Sequence, residues 1–214
     1  MQLRWQIAQF FEIRWWRRYL SGKDKSAYLA QKRRYWVGIL GQLRQPPAPG
    51  ERVLDAGCGP AGIFIALPGQ QVDALDPLLP AYTAQLPHFS PEDYPNVRFL
   101  PLPLENFSPE RPYDTVFCLN AINHVADLPR SLDRLVASAR AGGRLVLSVD
   151  AHRHRWLQRI FQWLPGDILH PHQYGLTDYA DMLRTRGCVV EQTLRLKKGL
   201  VFDYFLLETS TPGA

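Results

Sequence analysis

VLDAGCGPAG, residues 53–62, is an apolar strand that runs directly into a glycine-rich turn, and the apolar segment IFIAL at 63–67 reads as the helix behind it. Gly57 and Gly59 let the backbone approach a ligand closely and adopt angles that side chains forbid, while a helix start behind them offers N–H groups. A polar ligand is therefore expected at this turn. Many nucleotide-binding proteins use the same physics, so the neighbouring residues must say which ligand. Asp55 stands immediately before the glycines, and Asp76 follows the next predicted strand, QVDAL at 71–75, seventeen residues after Gly59. A carboxylate at that strand end can accept two hydrogen bonds from a ribose diol. Asp55 would repel a pyrophosphate and suits a cationic amino-acid moiety, so charge favours an aminoacyl nucleoside over a dinucleotide.

Outward from the turn, short β-rich runs alternate with helical segments. Strands are expected at Arg52–Leu54, Gln71–Leu75, Val97–Leu100, Thr115–Leu119 and Arg144–Val149. A helix over Leu128–Arg140 would stop at Ala-Gly-Gly, and another over Thr177–Arg186 would open on a Thr cap. Runs at about 189–196 and 200–209, joined through Lys-Lys-Gly, read as an antiparallel hairpin. This pattern predicts an α/β fold: a Rossmann-like, seven-stranded, mostly parallel sheet with helices on both faces and a terminal antiparallel hairpin.

The first 45 residues differ from the rest. They hold ten Lys or Arg against Glu12 and Asp24, a net of +8, which leaves −3 on the remaining 169 residues of a chain whose formal charge is +5. Two helices are expected here. In the first, Leu3, Ile7, Phe10, Phe11, Trp15 and Tyr19 share a face with Trp5 and Trp16 beside it; the second runs through Tyr28, Tyr35, Trp36, Ile39 and Leu43 to the prolines at 46–49. The division is therefore a helical cap over 1–45 and a main domain over 46–214. A basic leader suits an anionic surface or a solvated helical face, and the aromatic face suggests peripheral membrane contact through residues 1–20. Placed near the acceptor, this leader is expected to govern the acceptor and not the cofactor. The arginines interrupt any signal peptide, no run is long enough to span a bilayer, and three widely spaced cysteines write neither a disulfide framework nor a thiolate zinc site. A cytoplasmic protein, peripheral at most to a membrane, is expected.

With these motifs in order, the chain resembles a class I S-adenosylmethionine-dependent methyltransferase of the small-molecule type over about residues 50–210. The resemblance implies S-adenosyl-L-methionine as cofactor. Asp55, Gly57, Cys58 and Gly59 match its first motif, and VDALDP at 72–77 matches the second, implying that Asp76, with Pro77 behind it, holds the ribose hydroxyls. VRFLPLPLENF at 97–107 lies where the family contacts adenine. Pro103 stands where an acid or amide is common, leaving Leu104, through its backbone N–H, and Glu105 as candidates. YDTVFCLNAINHVAD at 113–127 resembles the fourth motif, implying that Leu119 and Asn120 line the methionine end.

The segment 151–175, bracketed by His152, His154, His170 and His172, lies where the family builds an acceptor lid. His172 and His124 are the candidates for touching the acceptor or taking its proton, and no metal site is expected, since no carboxylate accompanies the histidines at telling spacing. All six tryptophans fall in leader and lid, which suggests a small apolar or aromatic, or lipid-like, acceptor; nucleic acid is not expected. The oligomeric state is open. The competing reading is a non-catalytic cofactor-binding protein with a membrane-associating N-terminal helix.

Overall fold

The computed structural model describes residues 2–152, 174–199 and 202–213. Seven strands form one sheet: β1 (Arg52–Ala56), β2 (Gln71–Leu75), β3 (Val97–Leu100), β4 (Tyr113–Cys118), β5 (Ala139–His152), β6 (Val189–Lys197) and β7 (Phe202–Ser210). Their order is β3-β2-β1-β4-β5-β7-β6, with β7 antiparallel to both its neighbours and every other pairing parallel. The expected fold class is the observed one. β1 and β2 are buried along nearly their whole length, as parallel strands covered on both faces must be.

Among the described residues, five α-helices cover the sheet: α1 (Gln2–Leu20), α2 (Lys25–Leu40), α3 (Leu79–Gln85), α4 (Leu128–Ser138) and α5 (Leu176–Arg184). Residues of α1, α2 and α3 share one apolar cluster with Val53, Ile63 and Phe117, while α4 and α5 close a second around Leu54, Val116 and Leu147. The leader thus contributes directly to a core on one face of the sheet. Its tail is tied down as well: the Glu208 carboxylate in β7 accepts the backbone N–H of Arg44 at 2.9 Å and of Gln45 at 3.4 Å.

Several local expectations change. In α1 the docked line is Ile13, Trp16 and Leu20, and the aromatic face read from the sequence is the outer one: Phe10, Phe11 and Trp15 are about half exposed, at 56, 49 and 53%. The expectation of a membrane-associating helix is corrected accordingly, because α1 is a packed layer of the domain, joined to α3 by a Tyr82–Glu12 hydrogen bond of 3.3 Å. No described helix is long and apolar enough to cross a membrane. The segment 63–67 is not an α-helix either. Two 3-10 turns, Gly59–Ala61 and Ile63–Ala66, stand in its place, with Pro60, Gly62 and two β-branched isoleucines interrupting any longer helix.

Two boundaries also move. α4 ends at Ser138 because β5 begins at Ala139, and its Ala-Gly-Gly segment makes a bulge, Gly142 taking φ 63°, between the Tyr113 and Thr115 pairings. α5 is not opened by Thr177: Gly175 is its cap residue, and the Asp178 carboxylate accepts the Gly175 N–H at 2.8 Å.

Candidate cofactor site

β1 lies between β2 and β4, at the point where successive connections leave on opposite sides, and an open α/β sheet forms a crevice beyond the strand ends there. The glycine turn crosses this crevice. Its backbone is sewn to the end of β2: Gly57 and Cys58 donate to Leu75 O at 2.7 and 3.1 Å, and Gly59 donates to Asp76 Oδ2 at 2.9 Å. Asp76 Oδ1 accepts the Leu78 N–H at 2.8 Å. Each oxygen of Asp76 keeps a further lone pair, so these bonds leave room for a ligand's hydroxyls.

Asp55 is 1% exposed, and its Oδ2 accepts the Phe64 N–H at 3.1 Å. A Cβ at Gly62 would lie 2.4 Å from that oxygen, so Gly62 is the residue that lets Asp55 brace the 3-10 turns. Burial pushes the Asp55 carboxyl up to about 7 against the backbone hydrogen bonds from Phe64 and Ile63. Burial, with the nearby Glu12 charge, also pushes Asp76 up to about 7. Cys58 is buried, and burial beside these acids raises its thiol well above the ordinary range, which leaves it no thiolate character. Pro77 is half-buried behind Asp76.

Across the crevice the chain leaves β4 through Leu119, which is buried, and Asn120, which is exposed and takes φ 57°. The Asn120 N–H donates to Ser148 Oγ at 2.8 Å, and that hydroxyl meets Tyr204 OH at 2.6 Å. Gly57, Gly59, Asp76, Leu119 and Asn120 therefore lie at the same edge of the sheet, just beyond β1, β2 and β4. Glu105 is used differently from its expected adenine contact: its carboxylate accepts Ala126 N–H at 2.7 Å and Asp127 N–H at 3.2 Å, bracing the chain ahead of α4. Leu104 is buried in the same 3-10 turn. His124 is exposed in the turn after β4, whereas the neighbouring Asn123 is buried and accepts the Tyr179 hydroxyl at 2.7 Å. His154, His170 and His172, with most of the expected lid, lie outside the described residues. Among the described residues, no three His, Cys, Asp or Glu gather as metal ligands.

The sequence reading missed what the leader does here. Trp36 donates its indole N–H to Ala61 O at 2.9 Å, and Arg33, one turn earlier on α2, donates to Ile65 O at 3.0 Å. These donors occupy carbonyls of the abbreviated 3-10 segment. On α1, Trp16 lies over the glycine turn, 3.9 Å from where a Gly59 Cβ would stand, and Glu12 reaches Tyr82. One signal was present: Glu12 is the single acid in a helix with four arginines.

Comparisons with known proteins agree with this geometry. The family described as methyltransferase domain matches residues 28–193. The ubiquinone biosynthesis O-methyltransferase of Albidiferax ferrireducens is 29% identical, the match covering 92% of this chain and 80% of that protein. The tRNA U34 carboxymethyltransferase of Pseudoalteromonas translucida is 35% identical over 52% of this chain, but the match spans only 35% of that longer relative. Among solved structures, the magnesium protoporphyrin IX methyltransferase of Synechocystis with bound S-adenosylhomocysteine superposes with a TM-score of 0.59 at 20% identity, covering 94% of this chain and 93% of that one. The chain belongs to the methyltransferase-domain family and carries the class I S-adenosylmethionine-dependent methyltransferase fold.

Proposed function

We propose that this enzyme transfers the methyl group of S-adenosylmethionine to a small apolar or aromatic acceptor. The observation that carries the cofactor half is the pairing of the glycine turn with two buried carboxyls, Asp55 and Asp76, at the ends of β1 and β2. The group fits this donor set. Its ribose diol offers two donors to Asp76, and its ammonium and sulfonium are cations that two buried acids favour. When bound, the cofactor supplies a methyl group on a sulfonium that departs as a neutral thioether.

The chain's own contribution is then alignment and exclusion of water, which together supply most of what an in-line displacement needs. Asp76 orients the nucleoside. Asp55 holds the turn through Phe64 and biases the adjoining space toward a cation. Leu119 and Asn120 border the methionine end, and Leu104 lies on the adenine side through its backbone. Glu105 supports that side indirectly, by bracing Ala126 and Asp127. His124, exposed in the turn after β4, and His172, outside the described residues, are proposed to meet the acceptor. A relative named for ubiquinone biosynthesis supports an apolar ring compound as acceptor class.

Calorimetry with S-adenosylhomocysteine against NADH tests the cofactor, and methyl-labelled S-adenosylmethionine incubated with a metabolite extract tests the reaction. Micromolar binding of the first ligand, none of the second, and label in an organic-soluble product are expected. NADH binding alone would overturn the reading.

A further inference from the structure

The inner face of α1 points at the cofactor crevice with polar groups that the core does not require. Trp16 covers Gly59, Glu12 Oε1 accepts the Tyr82 hydroxyl at 3.3 Å, and Glu12 is close enough to Asp76 for its charge to act there. One turn earlier on the same face, Gln9 Nε2 is buried and has no hydrogen-bond partner. Such a donor normally finds an acceptor, so its isolation needs an explanation. Burial raises Glu12 despite hydrogen bonds from Trp16 and Tyr82, as expected of a carboxyl held in a confined space. Two carboxyls brought together from α1 and β2, with no cation described between them, are matched by a ligand that brings several donors at once. A vicinal diol does so.

We infer that Glu12 is a further cofactor-binding residue, closing the nucleoside pocket from above and sharing the ribose hydroxyls with Asp76. This rests on the cofactor reading above and deepens it: α1 becomes the roof of the cofactor pocket, and the unpaired Gln9 amide offers a donor to a ligand oxygen. It also reverses the expectation that the leader governs the acceptor and not the cofactor. Glu12 is suited to the role because it is the acid of an otherwise basic helix, placed one turn before the tryptophan that covers the turn.

The test is calorimetry of the full chain with two probes, S-adenosylhomocysteine and its analogue lacking both ribose hydroxyls. Glu12→Gln is expected to weaken the first by at least about tenfold and to leave the second within about twofold, because only the diol engages the carboxylate. Equal loss on both probes would make Glu12 merely structural, and unchanged affinity for the first would remove it from the site. If the unaltered protein binds neither probe, the cofactor reading itself fails. Hydrogen–deuterium exchange on the unaltered protein guards against a variant that misfolds. Added S-adenosylhomocysteine should protect amides 9–16 together with 57–62, and protection of the turn without α1 would overturn the inference.

Discussion

Gly57 and Ala121 meet across the crevice so closely that a Cβ placed on Gly57 would stand 2.2 Å from the Ala121 Cβ, while Gly57 itself takes φ 73°. The glycine is thus required by the loop after β4 as well as by any ligand. The sequence had suggested that a side chain there would collide with the cofactor; the nearer obstacle is the protein. Gly57→Ala should lower stability by about 2–4 kcal/mol, combining a left-handed backbone cost with overpacking. Adding Ala121→Gly should restore the steric part and leave about 1–2 kcal/mol. Chemical denaturation of the two variants measures this, and equal stabilities would show that the contact yields freely. Gly57→Val should abolish binding of S-adenosylhomocysteine.

Asp76→Ala removes the acceptor for Gly59 N–H and for the proposed ribose contact together. Losing charge-assisted hydrogen bonds of this kind should cost about 2 kcal/mol, near thirtyfold in affinity for S-adenosylmethionine and S-adenosylhomocysteine alike. Calorimetry on the folded variant decides it, and wild-type affinity would exclude Asp76 from the pocket.

Stability should depend on pH in a defined direction. Asp55 and Asp76 are pushed from an ordinary 3.8 up to about 7, chiefly by burial, and Glu12 is raised as well. Between those values the folded chain retains protons that the unfolded chain has released, so their stabilising contribution is present below about pH 4 and is lost as pH rises through about 7. The melting temperature of the ligand-free protein should fall between about pH 4 and 7 and level off above, and Asp76→Asn should flatten the slope. A ligand that brings positive charge or hydroxyl donors to the ionised acids should release protons on binding near pH 6.5, measurable as a dependence of binding heat on buffer. Proton uptake there would contradict the assignment.

A different acid stands in the middle of β2. Asp73 accepts Arg98 Nε at 2.8 Å and Nη2 at 2.6 Å, together with the Tyr113 hydroxyl. Burial alone would raise its carboxyl, but these partners and Arg52 outweigh it and hold it below the ordinary range. Asp73→Ala should destabilise the fold by about 1–3 kcal/mol, because it leaves the buried Tyr113 phenol without its acceptor, while the exposed Arg98 adds little. Affinity for S-adenosylhomocysteine in the folded fraction should stay within about twofold, since Asp73, about 10 Å before Asp76 along the chain, shares none of its hydrogen-bond partners.

Much of the sheet was legible because its signals are local. Apolar β-rich runs, each closed by a turn, announced β1 to β4, and the Lys-Lys-Gly segment announced the final hairpin. The cofactor turn was legible for the same reason: its glycines and Asp55 are contiguous, and Asp76 follows one strand later. The helical segments were less secure. Four consecutive apolar residues at 63–66 suit a helix by composition, yet they form a 3-10 turn braced by Asp55 and Arg33, with Trp36 holding the preceding turn at Ala61.

The sequence by itself determined the strand and turn succession, the glycine turn and the acids at the ends of β1 and β2, because each depends on residues close together in the chain. Only the tertiary structure decided which face of α1 turns inward, since aromatic residues occur on both sides of that helix and the choice rests on how Ile13, Trp16 and Leu20 fit the surface beneath. It likewise decided that Glu105 braces Ala126 and Asp127, and that Glu12 meets Tyr82. These are meetings of groups 21 to 70 positions apart, set by the packing of layers and not by any local preference of the chain.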